Sequence, residues 1–87
     1  DRITTIVACN NYIRKLNLLG CAPNLVNLIL IGNQISDQKE VNQLRQCKRL
    51  TRLVLINNPV TDVSIYRYDT IWNVPNLQAL DFQSVLP

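Results

Sequence analysis

Apolar and polar positions along the chain recur in one fixed order, L-x-x-L-x-L-x-x-N-x-I. Two full copies lie at Leu25, Leu28, Leu30, Asn33 and Ile35, and at Leu50, Leu53, Leu55, Asn58 and Val60. A weaker copy lies at Ile3, Ile6, Ala8, Asn11 and Ile13, and a fourth copy, at Leu77, Leu80 and Phe82, loses its Asn. The copies start at residues 3, 25, 50 and 77, which gives spacings of 22, 25 and 27 residues.

This spacing predicts the fold, because units of about 20–29 residues with this motif are typical of leucine-rich repeats. Alternate residues of a strand share a face, so Leu28 with Leu30 and Leu53 with Leu55 are expected to point into a common core. The predicted fold class is α/β: a leucine-rich-repeat solenoid with a short parallel β-sheet on its concave face, helices and loops on its convex face, and a C-terminal cap. We expect one domain over residues 1–87, with repeats starting near 3, 25 and 50 and a cap over 58–87.

Parallel strands need a return crossover, and the stretch between the second and third copies is predicted to supply a helical one. Asp37 can cap this helix, with Glu40 as its capping-box partner. Val41, Leu44 and Cys47 would face the core. The repeated Asn side chains are expected to bond backbone groups where the chain leaves each strand. These predicted structural residues are Asn11, Asn33 and Asn58.

The last return, residues 61–74, is longer and is predicted to form a cap, because a solenoid end otherwise exposes its core and a strand edge. Tyr66, Ile71, Trp72 and Val74 supply bulky apolar groups, and Pro75 ends the segment. Tyr66 and Trp72 are therefore expected in the core or cap, with a role as platforms for nucleic-acid bases the weaker alternative.

Three rows of side chains are predicted to line the concave face, because they alternate with the core leucines. The rows are Thr5, Asn27, Arg52 and Ala79; Val7, Ile29, Val54 and Asp81; and Cys9, Ile31, Ile56 and Gln83. Contiguous apolar surface in a soluble protein usually binds something, although β-branched residues also favour strands for other reasons. The predicted partner-binding residues are Val7, Cys9, Ile29, Ile31, Arg52, Val54 and Ile56.

The amino-acid composition limits the classes of function that the chain can have. The chain has 87 residues, a formal charge of +3 and no His, so acid–base catalysis and a zinc site are not expected. Cys9, Cys21 and Cys47 are odd in number and widely spaced, which favours a reducing compartment over a disulfide framework. No apolar run reaches the about 20 residues of a membrane span. We expect that the protein is not an enzyme, binds neither a metal nor a cofactor, and makes no contact with a membrane. The opening at Asp1 and the lack of Met indicate a fragment of a longer protein.

Basic residues are scattered. Arg14, Lys15, Lys48 and Arg49 are the candidates for RNA contact, although each is more readily explained as a solvated charge. Weak, salt-sensitive RNA binding is the expectation for the chain alone.

The cap carries a resemblance to a known family. The resemblance rests on Asn58-Pro59-Val60-Thr61, Tyr66-Arg67, Ile71, Val74-Pro75 and Leu80-Asp81-Phe82-Gln83 with Val85, together with Ile13-Arg14-Lys15-Leu16 near the N-terminal end. With these residues the sequence resembles the A-prime leucine-rich-repeat family of the U2 small nuclear ribonucleoprotein, a spliceosomal particle. The structural cap residues implied are Asn58, Pro59, Tyr66, Arg67, Pro75, Asp81 and Phe82. The family has more repeats and a basic C-terminal extension, and neither is present in this sequence.

The resemblance implies a nuclear, non-catalytic subunit acting in pre-mRNA splicing. Its concave face would grip a helix of an RNA-recognition-motif partner of the B-double-prime type, and a U2 snRNA stem-loop would be bound mainly through that partner. Two alternatives stay open: another capped leucine-rich-repeat adaptor, related to phosphatases, dynein or tubulin folding, and direct binding of single-stranded RNA. The second is disfavoured because the predicted concave rows lack aromatic side chains.

Overall fold

The computed structural model describes residues 3–17 and 22–85, so Cys21 and the ends of the predicted domain lie outside the described residues. Within the described residues, five short strands form one sheet in the order β1-β2-β3-β4-β5. They are β1 (Thr5–Val7), β2 (Asn27–Ile29), β3 (Arg52–Val54), β4 (Ala79–Leu80) and β5 (Gln83–Ser84). The first four strands are parallel, one per repeat, and β5 is antiparallel to β4. The predicted leucine-rich-repeat architecture is confirmed.

The return segments are helical and lie behind the sheet. They comprise α1 (Gln38–Asn42), the 3₁₀ turn Gln43–Gln46, the 3₁₀ turn Pro59–Asp62 and α2 (Tyr66–Asn73). Asp37 is the N-cap of α1, and its Oδ1 accepts from the backbone N–H of Lys39 at 2.9 Å. The predicted capping box is wrong: Glu40 Oε1 accepts instead from the backbone N–H of Leu16 at 2.8 Å. Glu40 thus satisfies a donor in the preceding repeat.

The core is a stack of leucines in register. Leu28, Leu53 and Leu80 are aligned across β2, β3 and β4, and all three are fully buried. The side chains of Val41, Leu44 and Cys47 close the core from the convex side, as the sequence predicts. Burial also raises the pKa of the Cys47 thiol above its ordinary value. One hydrophobic cluster therefore runs through the repeats and into the cap.

Two buried asparagines join each repeat to the one before it. Asn58 Nδ2 donates to the carbonyls of Leu55 and Leu30 at 2.9 and 2.8 Å, and its Oδ1 accepts from Ile35 N–H at 3.1 Å. Asn33 makes the same bonds one repeat earlier, to Leu30, Ala8 and Ile13. A buried backbone group without a partner would destabilise the fold, so these side chains are structural. Asn11 is exposed, and its amide donates to the Cys9 carbonyl at 3.1 Å.

The residue before each of these asparagines has a left-handed backbone. Asn10, Gly32 and Asn57 have φ values of 58°, 74° and 61°. Glycine and asparagine are the residues that tolerate this region best. At Gly32 a Cβ atom would also meet the Asn10 side chain, which would have to move, so both the backbone conformation and the available space favour glycine at this corner.

The C-terminal copy of the repeat does not continue as a fourth equal unit. Asp81 and Phe82 both have positive φ, 53° and 67°, and they form the two-residue turn between β4 and β5. The predicted placement of Asp81 and Gln83 in the concave rows is therefore wrong, because the chain reverses after Leu80. Phe82, which the resemblance implies as a cap residue, lies on this turn with its side chain 72% exposed.

Tyr66 and Arg67 secure this hairpin from α2. The Tyr66 hydroxyl donates to Asp81 Oδ2 at 2.8 Å, while Asp81 Oδ1 accepts from Leu55 N–H at 2.7 Å. The Arg67 guanidinium donates to the carbonyls of Leu80 and Ser84 at 3.2 and 3.1 Å. Burial, followed by the charge and hydrogen bond of Asp81, raises the pKa of the Tyr66 phenol far above its ordinary value, and Arg67 lowers it in part. Tyr66 therefore stays protonated as a donor.

The other predicted cap residues divide between the core and the surface. Val74 is buried and Ile71 packs against the core. Pro59 begins its 3₁₀ turn and is exposed, as is Pro75, which follows α2. The expectation that Trp72 is buried in the core or cap is wrong: its side chain is 83% exposed. Tyr66 and Thr70 turn to the interior, and Trp72 lies on the opposite side of α2.

The first prediction concerns Tyr66. Tyr66→Ala removes a large aromatic side chain that is 5% exposed, and we expect a loss of about 3–5 kcal/mol in unfolding free energy. Tyr66→Phe keeps the ring but loses the bond to Asp81, with an expected loss of about 1.5–3 kcal/mol. Chemical denaturation measures both. Tyr68→Ala, at a site that is 79% exposed, is the control and should stay within about 0.5 kcal/mol of the parent. Equal midpoints for Tyr66→Ala and Tyr68→Ala would show that Tyr66 does not anchor the cap.

The second prediction concerns Gly32. Gly32→Ala places a Cβ atom on a left-handed residue and against Asn10, so the expected destabilisation is at least about 1–2 kcal/mol. Asn57→Gly, at the equivalent corner of the next repeat, is the control, and it should change stability by about 1 kcal/mol or less because glycine tolerates this backbone. Thermal unfolding of the two variants compares them directly. A Gly32→Ala melt that coincides with that of the parent contradicts the clash.

Candidate functional site

The strand register brings the predicted concave rows together. Thr5, Asn27, Arg52 and Ala79 are direct partners across β1 to β4, and Val7, Ile29 and Val54 are partners across β1 to β3. Each row therefore crosses neighbouring strands at the sheet spacing of about 4.8 Å. The third row continues beyond the strand ends through backbone bonds from Asn10 to Ile31 and from Gly32 to Ile56, at 2.8 and 3.0 Å.

A hollow of about 430 Å³ lies on this face. Its floor is made by Val54, which is only 4% exposed, and by the partly exposed Ile29. Phe82 stands beside them on the β4–β5 turn. Because Phe82 lines the hollow from this turn, the apolar surface extends past β3 to the C-terminal hairpin. The full lining consists of Thr5, Asn27, Ile29, Arg52, Leu53, Val54, Ala79 and Phe82.

The apolar residues predicted to bind a partner are not equally accessible. Val7 is 60% exposed on the edge strand, whereas Val54, between two paired strands, is buried. Val54 faces the concave hollow, outside the leucine core cluster, but its neighbours leave it little exposed. Cys9, Ile31 and Ile56 are partly buried and extend the apolar surface along the strand direction. The accessible apolar side chains of the hollow are Ile29 within the sheet and Phe82 at its side.

The polar side of the hollow carries one charge. Asn27 Nδ2 donates to Thr5 Oγ1 at 3.1 Å, which orients the amide along its row. Arg52, the next residue of that row, is exposed. Among the residues that line the hollow, Arg52 alone has a charged side chain. This arrangement suits the binding of an apolar surface with one anionic group and offers no proton-transfer pair.

The predicted RNA-contact residues do not converge on this face. Arg14 and Lys15 follow the C-terminal end of β1, and Arg14 Nε donates to Gln34 Oε1 at 2.9 Å. Lys48 and Arg49 precede the N-terminal end of β3. All four are exposed, but parallel strands place the two pairs beyond opposite ends of the sheet. The described part of the chain also holds no group of three or more metal-ligating side chains and no helix that could span a bilayer.

Sequence reasoning missed the contribution of Phe82 to this face. The spacing of Leu77, Leu80 and Phe82 matched the core positions of the other copies, and the turn lacks glycine, so no local signal marked the reversal. It also missed the exposed aromatic side of α2. Tyr68 and Trp72 are four residues apart on the side away from Tyr66, a spacing that could have indicated a second face.

Comparisons with known proteins agree with this geometry. A family profile described as "Leucine-rich repeat" matches residues 1–86. The U2 small nuclear ribonucleoprotein A' of Aspergillus fumigatus is 36% identical over 97% of this chain and 34% of its own length. The human protein of the same name is also 36% identical, with the same shares covered. The chain thus spans about a third of the length of these relatives.

Solved structures with the same fold include protein complexes. A crystal structure of a Drosophila melanogaster SNF/U2A' complex contains a chain with a TM-score of 0.90 and 30% identity, matched over 98% of this chain and 50% of that one. A structure of Chaetomium Mex67:Mtr2 subunits has a TM-score of 0.85 at 28% identity, with 98% and 57% covered. With the family match over residues 1–86, these similarities identify the chain as a member of the leucine-rich-repeat family.

Proposed function

We propose that this chain is part of a non-catalytic leucine-rich-repeat subunit of the U2 small nuclear ribonucleoprotein, acting in the nucleus in pre-mRNA splicing. Its concave face would hold an α-helix of an RNA-recognition-motif partner of the B-double-prime type, and the partner would carry most of the contact with a U2 snRNA stem-loop. The observation that carries the proposal is the hollow over Ile29 and Val54, on a chain 36% identical to U2 small nuclear ribonucleoprotein A' proteins.

The dimensions of the concave face suit a helix. Three parallel strands about 4.8 Å apart give a surface roughly 10–15 Å wide, and a helix with its side chains is about 10–12 Å across. Ile29 and its strand partner Val7, which lies next to the hollow, would meet the apolar stripe of that helix, and Phe82 would close one side. Removal of these apolar groups from water favours the complex, and this gain must exceed the entropy that the two molecules lose on association.

Arg52 would favour one orientation of the bound helix. It is exposed at the polar side of the hollow, where it can pair with an acidic side chain or with the C-terminal end of the bound helix. A charge at the rim contributes more to orientation and association rate than to affinity. The apolar floor would supply the affinity, while Arg52 favours one orientation of the helix.

The third prediction tests the concave contact. Ile29→Glu and Val7→Glu put a carboxylate into a surface that would lose water on binding, so we expect affinity for the purified RNA-recognition-motif partner to fall at least about thirtyfold. Titration calorimetry measures the change. Val54→Glu is not a suitable test, because Val54 is 4% exposed and a buried charge would disturb the fold itself.

Val63→Glu is the matched control for this experiment. Val63 is 48% exposed and lies in the cap, away from the residues that line the concave hollow. It should bind the partner with parental affinity. Parental affinity in Ile29→Glu and Val7→Glu as well, with circular dichroism unchanged, would exclude the concave face as the partner site.

The fourth prediction concerns RNA. Because Arg14 with Lys15 and Lys48 with Arg49 lie beyond opposite ends of the sheet, the chain alone should bind a U2 stem-loop weakly and lose affinity steeply with salt. Addition of the partner should tighten binding. Arg14→Ala and Lys48→Ala should each weaken binding of all RNA sequences alike, since phosphate contacts carry no base information. Filter binding over a salt series measures these effects. Tight, sequence-specific binding by the chain alone at physiological salt would contradict the assignment of RNA recognition to the partner.

A further inference from the structure

The outer side of α2 carries a second apolar surface that the proposed function does not use. Ile65, Tyr68 and Trp72 are 57%, 79% and 83% exposed, and they follow the three- and four-residue spacing of one helix face. Tyr66 and Thr70 fill the interior from the opposite side of the same helix. The cap is therefore complete without these three side chains, and their exposure has no structural role in closing the solenoid.

These side chains line a wide, shallow depression that is open to solvent. Its volume is about 700 Å³, and its lining is almost wholly apolar, with one carboxylate. Asp69 is held at one side, where its Oδ1 accepts from Asn73 Nδ2 at 3.1 Å. The lining consists of Ile65, Tyr68, Asp69, Ile71, Trp72 and Pro75. A hollow of this kind accepts a large aliphatic or aromatic side chain.

A basic surface continues directly from this hollow. Trp72 and Pro75 also line a neighbouring depression of about 380 Å³, which contains Arg45 and Lys48. A third depression, of about 240 Å³, shares Arg45 and adds Lys39. Together the three depressions form what we call the α2 surface: an apolar end at Ile65, Tyr68 and Trp72 and a cationic end at Arg45, Lys48 and Lys39.

Bonds between the segments fix this surface. Asn76 Nδ2 donates to the Lys48 carbonyl at 2.6 Å, which joins the loop after α2 to the loop before β3. Gln38 Nε2 donates to Thr70 Oγ1 at 2.9 Å, which joins α1 to α2. The apolar and cationic ends are therefore held side by side before any ligand binds, so little ordering cost falls on the protein.

We propose that the α2 surface binds an acidic linear segment of a partner protein, with one large apolar side chain seated between Ile65, Tyr68 and Trp72 and carboxylates placed against Arg45 and Lys48. Charge complementarity selects this occupant, because cations lie at one end of the surface only. Asp69, at the apolar end, can accept a backbone N–H of the segment. Aromatic anchors in a pocket beside a charged rim are a common arrangement of binding hot spots.

Single-stranded nucleic acid fits this surface less well. Bases could stack on Tyr68 and Trp72, but the phosphates of a strand are evenly spaced, and one would lie near the Asp69 carboxylate. A peptide can keep its acids at one end, as the protein keeps its cations. The same argument disfavours an anionic membrane surface, whose charge is also uniform.

The experiment uses a random peptide library displayed on phage, selected against the chain and counter-selected against its Trp72→Ala variant. We expect enriched sequences to combine a large apolar residue with Asp or Glu on one side. Fluorescence anisotropy of a labelled synthetic copy of the enriched peptide then gives the affinity. Trp72→Ala should weaken binding about thirtyfold or more, as for an aromatic hot spot. Arg45→Glu should weaken it and reduce its dependence on salt.

Two controls match these variants. Phe82→Ala removes an aromatic residue that is 72% exposed on the concave face, and Arg49→Glu reverses an exposed charge that does not line the α2 surface. Both should keep parental peptide affinity, and Trp72→Ala should keep parental affinity for the concave-face partner. A wrong assignment of the α2 surface can therefore be told apart from a wrong assignment of the concave face, on which the proposed function depends. Any of three results would overturn the proposal. The enriched peptides could lack acidic residues, or Trp72→Ala could bind the peptide with the parental affinity. An oligouridine strand or anionic vesicles could also bind the same site more tightly than the peptide does.

Discussion

The structure depends on one constraint: the backbone at each corner of the solenoid is buried and still needs hydrogen-bond partners. Asn33 and Asn58 meet it with three strong bonds each, two donated to carbonyls and one accepted from an N–H of the preceding repeat. These bonds set the position of one repeat relative to the next. The strand register, and with it the rows of the concave face, follows from that position.

Within the described residues, β4 pairs with the antiparallel β5 instead of a further parallel strand, and the chain satisfies its backbone groups there in a different way. Asp81 accepts Leu55 N–H and the Tyr66 hydroxyl, and Arg67 satisfies two carbonyls of the hairpin. The antiparallel strand β5 then covers β4, which protects that edge of the sheet. A left-handed Asp81 is needed for this turn, and the strain is offset by its two bonds. The turn also places Phe82 beside the concave hollow.

The two proposed binding surfaces differ in how their apolar and charged side chains are arranged. On the concave face, Ile29 and Val54 form a shallow apolar floor with Arg52 at its side, which suits a preformed helix whose apolar stripe meets the sheet. On the α2 surface, Trp72 separates an apolar hollow from the cations Arg45 and Lys48, which suits an extended segment with segregated charge. A subunit with both surfaces could hold one partner firmly and a second one in a salt-dependent manner.

The sequence by itself determined the repeats, the fold class, the leucine core and the strand register, because the period of a solenoid is local and each unit contacts mainly its neighbours. It also identified Tyr66 as a cap residue and placed Ile29 and Arg52 on the concave face. Only the tertiary structure decided the end of the solenoid, where Phe82 and Trp72 are exposed despite their bulk. Val54 became buried for a related reason: it lies between paired strands and beside Phe82. These outcomes depend on contacts between segments far apart in the chain, and no periodic pattern reports such contacts.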